Sequence, residues 1–331
     1  MRGRVRGAKR GGRAPATSAS AGARPRLALT LGDPRGIGPE VIAKALSHPR
    51  VREAATYLIV GPEGAPVDAE MAVGKWPGRA GDAALAGRLA GLAVERATTL
   101  ALDGAVDGLV TAPLDKAALL AGGFNYPGHT EMLAALTGSK VAMMLTSSSL
   151  ARARDSASAA HPLRVVLATT HIPLRAVPDA VTADALIQTA RTTRDALQRW
   201  FGVREPRIAL CALNPHAGDS GRFGREDDEV LAPAARAAGV DGPFPADTVF
   251  VRALRGAFDA VIAPYHDVGM TAIKVASFGS AVNVTLGLPF PRCSPDHGTA
   301  LDIAGQGVAD PTSTVEAILL CAHIAARVKR E

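Results

Sequence analysis

Aromatic side chains are scarce in this sequence: two Trp, three Tyr and eight Phe among 331 residues. Proteins that grip single-stranded nucleic acid stack bases on such rings, and few platforms exist here. Cysteine is scarcer still, with Cys211, Cys293 and Cys321 far apart and no Cys-x-x-Cys pair. An odd, dispersed set argues against a disulfide framework and fits a reduced, cytoplasmic protein. Cys293 stands among candidate site residues, but no paired base is apparent, so it does not read as a nucleophile. No apolar run approaches the ~20 residues of a membrane-spanning helix, and no apolar segment of the secretory kind is found. A Gly-x-Gly-x-x-Gly fingerprint is also missing, so no Rossmann dinucleotide site is indicated.

Acidic residues are absent from residues 1–25, which hold seven basic ones. The chain's net charge of +6 therefore belongs to that segment, and the remainder is near neutral. Rich in Arg, Gly, Ala and Ser, the segment has nothing to bury and reads as a disordered basic tail. A phosphate-binding arm or transit peptide is the functional counterpart of that reading.

What the sequence has in quantity is alternation. Short apolar runs ending in Pro or Gly punctuation, with Ala- and Leu-rich stretches between them, predict an α/β fold with a mainly parallel sheet. Expected strands include residues 27–30, 57–60, 107–111, 165–168, 208–211 and 260–263, and a long helix is expected over 82–103. Residues 147–164, dominated by Ser and Ala without an apolar face, interrupt this pattern and predict a surface loop.

Three of the runs lead into histidines: His171 in Ala-Thr-Thr-His-Ile-Pro-Leu, His216 in Asn-Pro-His-Ala-Gly and His266 in Pro-Tyr-His-Asp-Val-Gly. The carboxyl ends of parallel strands open on one edge of the sheet, where α/β folds place ligands. Three imidazoles there suit a divalent ion with positions left for substrate. A single histidine is more often structural; the matched strand ends favour the metal reading. Tyr126-Pro-Gly-His129-Thr130-Glu131 places an imidazole and a hydroxyl beside a turn, with Thr130 expected as N-cap of the next helix. Lys274, Asn283 and Arg292 lie within 19 residues among small and apolar neighbours, a set suited to a phosphate or carboxylate. Gly32-Asp-Pro-Arg-Gly-Ile-Gly-Pro-Glu40 is a strand–turn–helix junction whose backbone N–H groups suit an anion. His297-Gly298-Thr-Ala-Leu-Asp302-Ile-Ala-Gly305 reads as a small-residue loop, with Asp302 placed either to accept from a ribose hydroxyl pair or to cap a following helix.

Together with Thr-Ala-Pro-Leu-Asp-Lys, Ala-Asp-Thr-Val-Phe, Val-Asn-Val-Thr-Leu-Gly-Leu-Pro and Ser-Pro-Asp-His-Gly-Thr-Ala, these motifs resemble the 4-hydroxythreonine-4-phosphate dehydrogenase family of pyridoxal phosphate biosynthesis, from about Arg26 to about Ala325. The resemblance implies a two-lobed α/β/α fold like that of isocitrate and isopropylmalate dehydrogenases. One lobe, on the cofactor side, is expected at 26–125 plus 250–331. The other, on the dimer side, is expected at 126–249. A homodimer with a shared site is also implied: His171 and His216 of one subunit and His266 of the other hold a divalent metal (Zn, Mg or Co). Substrate contacts map to His129, Thr130, Lys274, Asn283 and Arg292, and NAD contacts to His297, Gly298 and Asp302. His129, Asp247 and Asp267 are the candidate proton acceptors. The implied reaction oxidises a small phosphorylated substrate, 4-hydroxythreonine 4-phosphate, to a β-keto acid that loses CO2. Val268 and Met270 stand where the family carries Gln and Leu, and Cys293 where Thr is common. Related dehydrogenases of 4-phospho-threonate, 4-phospho-erythronate or a cyclic dihydrodiol dicarboxylate are alternatives. A metal-dependent hydrolase is an alternative of another class, and nucleic-acid binding by the tail ranks far lower.

Overall fold

The computed structural model describes residues 24–78, 81–147, 161–277 and 279–330. Its strands are β1 (Arg26–Thr30), β2 (Thr56–Glu63), β3 (Met71–Lys75), β4 (Gly108–Thr111), β5 (Ala142–Thr146), β6 (Arg164–Leu167), β7 (Ile208–Cys211), β8 (Asp241–Phe244), β9 (Ala260–Ala263), β10 (Val282–Leu286) and β11 (Arg292–Pro295). The helices are α1 (Gly38–Ser47), α2 (Pro49–Ala54), α3 (Ala83–Leu102), α4 (Lys116–Ala121), α5 (His129–Thr137), α6 (Val177–Ala180), α7 (Ala183–Arg199), α8 (Ala232–Ala238), α9 (Ala246–Leu254), α10 (His266–Ser277) and α11 (Thr312–Val328). No described helix is long and apolar enough to cross a membrane.

The strands form one sheet in the order β3-β2-β1-β4-β11-β10-β5-β6-β9-β7-β8. Pairing is parallel except at β11–β10, β10–β5 and β5–β6, where the chain runs back through the middle of the sheet. The α/β, mainly parallel expectation holds. Strand β9 pairs with β6 and β7, and Ile273 of α10 packs with Val165, Ala209 and Val261. Residues 260–277 therefore sit in the second half of the sheet, away from the 26–125 segment with which the two-lobe division grouped them.

Side chains alternate across each strand, and the two faces are covered differently. On one face a single apolar cluster runs along most of the sheet, built from Leu27, Leu29, Val110, Met144, Val166, Leu210, Ile262 and Cys293 under α1, α7, α8 and α11. The opposite face has two separate clusters. Ala28, Leu58 and Leu109 pack under α3 and α5, while Leu145, Val165 and Val261 pack under α9 and α10. The interval between them lies over β11 and β10, with β5 at its edge. The sheet thus positions the site by leaving its central strands uncovered on one side.

Local sequence explains the helices that flank this interval. The Asp82 carboxylate caps α3 by accepting from Leu85 N at 2.7 Å, and Asp115 caps α4 through Ala118 N at 2.7 Å. Such caps contribute about 1 kcal/mol each. Helix α3 is Ala-rich because it lies tight against α4; a side chain at Gly87 would strike the Ala118 carbonyl. Helix α5 begins at His129 with Gly128 at its N-cap. Thr130 is therefore inside the first turn, not at the cap where the sequence suggested it.

At the beginning of the fold, Pro25 O accepts from Thr56 N at 2.9 Å and Arg24 donates to Arg52 O at 3.2 Å. These two residues, read as the end of the tail, belong to the folded edge. The rest of the tail, and residues 148–160 of the 147–164 loop, lie outside the described residues. Because residues 1–23 offer no apolar periodicity, their deletion is expected to leave melting temperature and kcat nearly unchanged. A drop of several degrees in a thermal melt would show that the segment packs.

Candidate active site

A cavity of about 590 Å³ occupies the uncovered interval. It takes Thr111 from the end of β4, His129 to Glu131 from α5, Thr170 and His171 beyond β6, and His266, Asp267, Met270, Thr271 and Lys274 from α10. Asn283 of β10, Arg292 and Ser294 of β11, and Asp296 to Gly298 close it. Strand alternation sets this lining: Arg292 and Ser294 face the cavity while Cys293, between them, faces the closed side. Cys293 and Val268, two of the family departures, are packed in apolar clusters and line no part of the cavity; Met270 does line it.

Arg292 dominates the electrostatics. It is 2% exposed, donating to Thr285 Oγ1 at 2.9 Å and Thr111 Oγ1 at 2.5 Å. No carboxylate pairs with it among the described residues, and its buried Nε has no partner. Burial lowers its pKa to about 10. A charge removed from water without a counter-ion costs several kcal/mol, so this guanidinium is poised for an anion. Three further buried polar atoms around the same cavity also lack partners: His129 Nε2, Asn283 Oδ1 and His297 Nε2. Native proteins satisfy such groups, and their concentration in one cavity points to a polar ligand. Burial, then the nearby charges of Arg292 and Lys116, push the His129 pKa well below its ordinary value. His129 is therefore neutral at physiological pH and suited to hydrogen bonding; its low basicity makes it a poor proton acceptor.

Lys274 is not a free cation. Its Nζ lies 3.2 Å from Asp296 Oδ2, and its side chain is 54% exposed. Asp296 was not singled out from the sequence, because its partner is 22 residues away and only the fold brings them together. Lys116 and Glu131 also line the cavity, both close to Gly128. Both stand within family motifs, Thr-Ala-Pro-Leu-Asp-Lys and Gly-His-Thr-Glu, and that is the sequence signal for them.

Strands β6, β9 and β7 are parallel neighbours, so the three histidine-bearing ends do open on one edge. Only two of the histidines meet within a chain. The rings of His171 and His266 are 5.2 Å apart between centroids, and His266 Nδ1 is 2.7 Å from Asp267 Oδ1. That carboxylate orients the ring and leaves Nε2 outward, the arrangement common for metal-binding histidines. Asp267 is thereby engaged as a ring-orienting group. Burial, with lesser contributions from Lys116 and His266, lowers the His171 pKa and keeps it in the neutral form a metal needs. Among the described residues no group of three His, Cys, Asp or Glu converges within the chain.

His216 lies elsewhere, beside Phe223 with ring centroids 6.4 Å apart. Its loop is strained: His216, Ala217, Asp219 and Ser220 all have positive φ. Such strain costs of order 1–3 kcal/mol per residue and clusters at functional sites. It is held by the fully buried Asp227, which accepts from Leu213 N at 2.8 Å and Asn214 N at 2.9 Å. Asp247, exposed in the first turn of α9, lines no part of the cavity. Asp302 is exposed in a run of turns that does not become a helix, so its capping alternative is excluded.

The turn from Gly32 to Gly38 does not form the anion cradle suggested by its sequence. Asp33 N bonds Pro113 O, Gly36 N bonds Asp33 O, Ile37 N bonds Thr299 O, and Arg35 N bonds Asp33 Oδ1. With these donors consumed internally, the turn is structural.

Comparisons with known proteins show the family. The sequence model of the family "Pyridoxal phosphate biosynthetic protein PdxA" matches residues 48–321. A 4-hydroxythreonine-4-phosphate dehydrogenase from Xanthomonas axonopodis pv. citri is 45% identical, over 92% of this chain and 99% of its own. The crystal structure of the enzyme of that name from Klebsiella pneumoniae superposes with a TM-score of 0.76 at 38% identity, covering 91% of this chain and 99% of the other. A terephthalate 1,2-cis-dihydrodiol dehydrogenase from Burkholderia xenovorans is more distant, at 28% identity and a TM-score of 0.60, with 90% and 98% covered. The chain belongs to the PdxA family.

Proposed function

We propose that the protein is an NAD-dependent, metal-dependent dehydrogenase of 4-hydroxythreonine 4-phosphate in pyridoxal 5'-phosphate biosynthesis. The observation that carries this reading is Arg292, a buried cation without a counter-ion, opening on a cavity with three other unpartnered polar groups. A substrate phosphate meets its fork bidentately, with Asn283 and Lys274 alongside. His129, held neutral, and Thr130 hydrogen-bond the remainder of the substrate.

His171 and His266 supply two imidazoles of a metal site, and a second copy of the chain supplies His216. Apolar side chains exposed next to these residues support a homodimer: Ile172 (38% exposed), Leu174 (69%), Phe223 (45%) and Val275 (67%). A second copy buries them. These three imidazoles would hold a divalent ion, which would supply polarisation of the carbinol oxygen and so a lower pKa for its hydroxyl. With NAD⁺ bound, the carbinol carbon would give up its hydride to the nicotinamide and its hydroxyl proton to solvent; the resulting β-keto acid would lose its carboxylate as CO2 and take up a proton at carbon, leaving 3-amino-2-oxopropyl phosphate. Asp296, beside Lys274 and next to His297 in sequence, lies where substrate and cofactor residues adjoin.

The test is NADH formation when the purified protein meets this substrate, NAD⁺ and Zn²⁺ or Mg²⁺. No NADH, with the metal bound and the substrate intact, contradicts the reading. Cofactor choice rests on the exposed Asp302 carboxylate, which accepts from ribose hydroxyls and repels a 2′-phosphate, a repulsion that solvent screens in part. NAD⁺ is expected to be preferred over NADP⁺, and Asp302→Ala to narrow that preference mainly by weakening NAD⁺. An unchanged ratio of kcat/KM values for the two cofactors removes Asp302 from the role.

A further inference from the structure

We propose that Glu40 and Lys44 of α1 are positioning residues for NAD⁺, holding the loop from His297 to Ala309 in its binding shape. The inference rests on the reading of that loop as the cofactor loop, and it adds two residues that line no part of the cavity.

The loop's own hydrogen bonds are those of short turns: Ile303 N to Ala300 O, Gln306 N to Ile303 O and Gln306 Nε2 to Asp302 O. It contains neither helix nor strand, and Leu301, Asp302 and residues 305–308 are exposed. A side chain added at Gly298, Gly305 or Gly307 would meet nothing within 4 Å. Its anchorage comes from the turn that precedes α1 and from α1 itself. At the near end, Ile37 N donates to Thr299 O at 2.9 Å. At the far end, Glu40 Oε1 accepts from Ala309 N at 2.8 Å and Oε2 from Gly307 N at 3.3 Å. Lys44 Nζ donates to Gly307 O at 2.8 Å, Ala309 O at 2.7 Å and Glu40 Oε1 at 2.8 Å. Between these ends, Ile37, Val41 and Ala309 form a small cluster with Ala300, Ile303 and Ala304, separate from the main cores.

All three ammonium hydrogens of Lys44 have acceptors, and both oxygens of Glu40 are taken. Apart from the bond between them, their hydrogen bonds go to the backbone of Gly307 and Ala309, so they act through the loop. As an isolated i,i+4 surface pair they would be worth only a few tenths of a kcal/mol. Their use is to bind the backbone on both sides of the flexible Gly307. The Gly-Asp-Pro-Arg-Gly-Ile-Gly-Pro-Glu motif acquires a purpose on this account. Gly36 lies so close to the loop that an added Cβ would stand 2.7 Å from Thr299 O.

The experiment compares wild type with Glu40→Gln, Lys44→Met and Gly36→Ala, using calorimetric titration of NAD⁺, steady-state kinetics and thermal melts. Loosening the loop reduces the binding-competent fraction, so the Kd and KM for NAD⁺ are expected to rise about tenfold. At saturating NAD⁺, kcat and the substrate KM are expected to stay within about twofold, because the cavity is untouched. Lys44→Arg, which retains donors for the carbonyls, is expected to recover most of the affinity. Asp302→Ala is the control for the underlying reading. If Asp302→Ala weakens NAD⁺ while Glu40→Gln and Lys44→Met do not, the positioning role is wrong and the cofactor loop stands. If none of these variants alters NAD⁺ binding, both fail. A substrate KM and melting temperature that worsen in step with the NAD⁺ Kd would make Glu40 and Lys44 ordinary fold stabilisers, and the proposal would fall.

Discussion

Arg292→Ala is expected to raise the KM for the phosphorylated substrate by roughly 30-fold or more, the loss of about 2–5 kcal/mol that follows removal of one buried charged contact. The unphosphorylated analogue is expected to respond far less. Lys274→Ala is expected to act in the same direction but more weakly, because Lys274 is half exposed and already paired with Asp296. Exposure screens its charge, and the phosphate must compete with the carboxylate. Arg292→Lys keeps the charge and loses the fork, so it is expected to fall between wild type and Arg292→Ala. Folding should suffer little, since the substitution removes a desolvated cation that lacks a counter-ion in the free protein. Equal effects on phosphorylated and unphosphorylated substrates would show that Arg292 does not read phosphate.

The second large effect concerns the histidines. His171→Ala, His216→Ala and His266→Ala are each expected to abolish turnover and weaken metal binding. Mixed dimers then decide how the site is divided. The family resemblance grouped His171 with His216, which predicts rescue when His171→Ala is mixed with His266→Ala. The structure groups His171 with His266 in one cavity and predicts rescue only when His216→Ala is mixed with either of the others. Random reassortment makes half of the dimers hybrids, each with one intact site, so about one quarter of wild-type activity should return. Recovery in the His171→Ala and His266→Ala mixture would restore the original grouping. No recovery in any verified hybrid would count against a shared site.

Much of the fold was legible because buried parallel strands are written as plain apolar runs. The strands at 208–211 and 260–263 match the expected residues, and β6 differs from its expected span by one residue at each end. Strand β11 could not be read this way. Arg-Cys-Ser-Pro has the composition of a loop, yet all four residues are buried because β4 and β10 pair on either side of it. Strand β3 is a mostly exposed edge with no apolar run to announce it.

The site was legible as a residue list and obscure as a set of relationships. His129, Lys274, Asn283, Arg292 and His297 all line the cavity. Nothing local could show that Asp296 pairs with Lys274, or that Asp267 holds His266. The Gly32–Gly38 turn misled for the reverse reason. Its sequence offers N–H groups, and only the fold reveals that Asp33, Pro113 and Thr299 have already taken them.

The most direct test of the central claim is stoichiometry. The metal-loaded protein is incubated with 4-hydroxythreonine 4-phosphate and limiting NAD⁺, and NADH, released CO2 and 3-amino-2-oxopropyl phosphate are quantified together. One CO2 and one molecule of the amino ketone phosphate per NADH is the expected result. NADH without CO2, or consumption of the substrate without NADH, would contradict it.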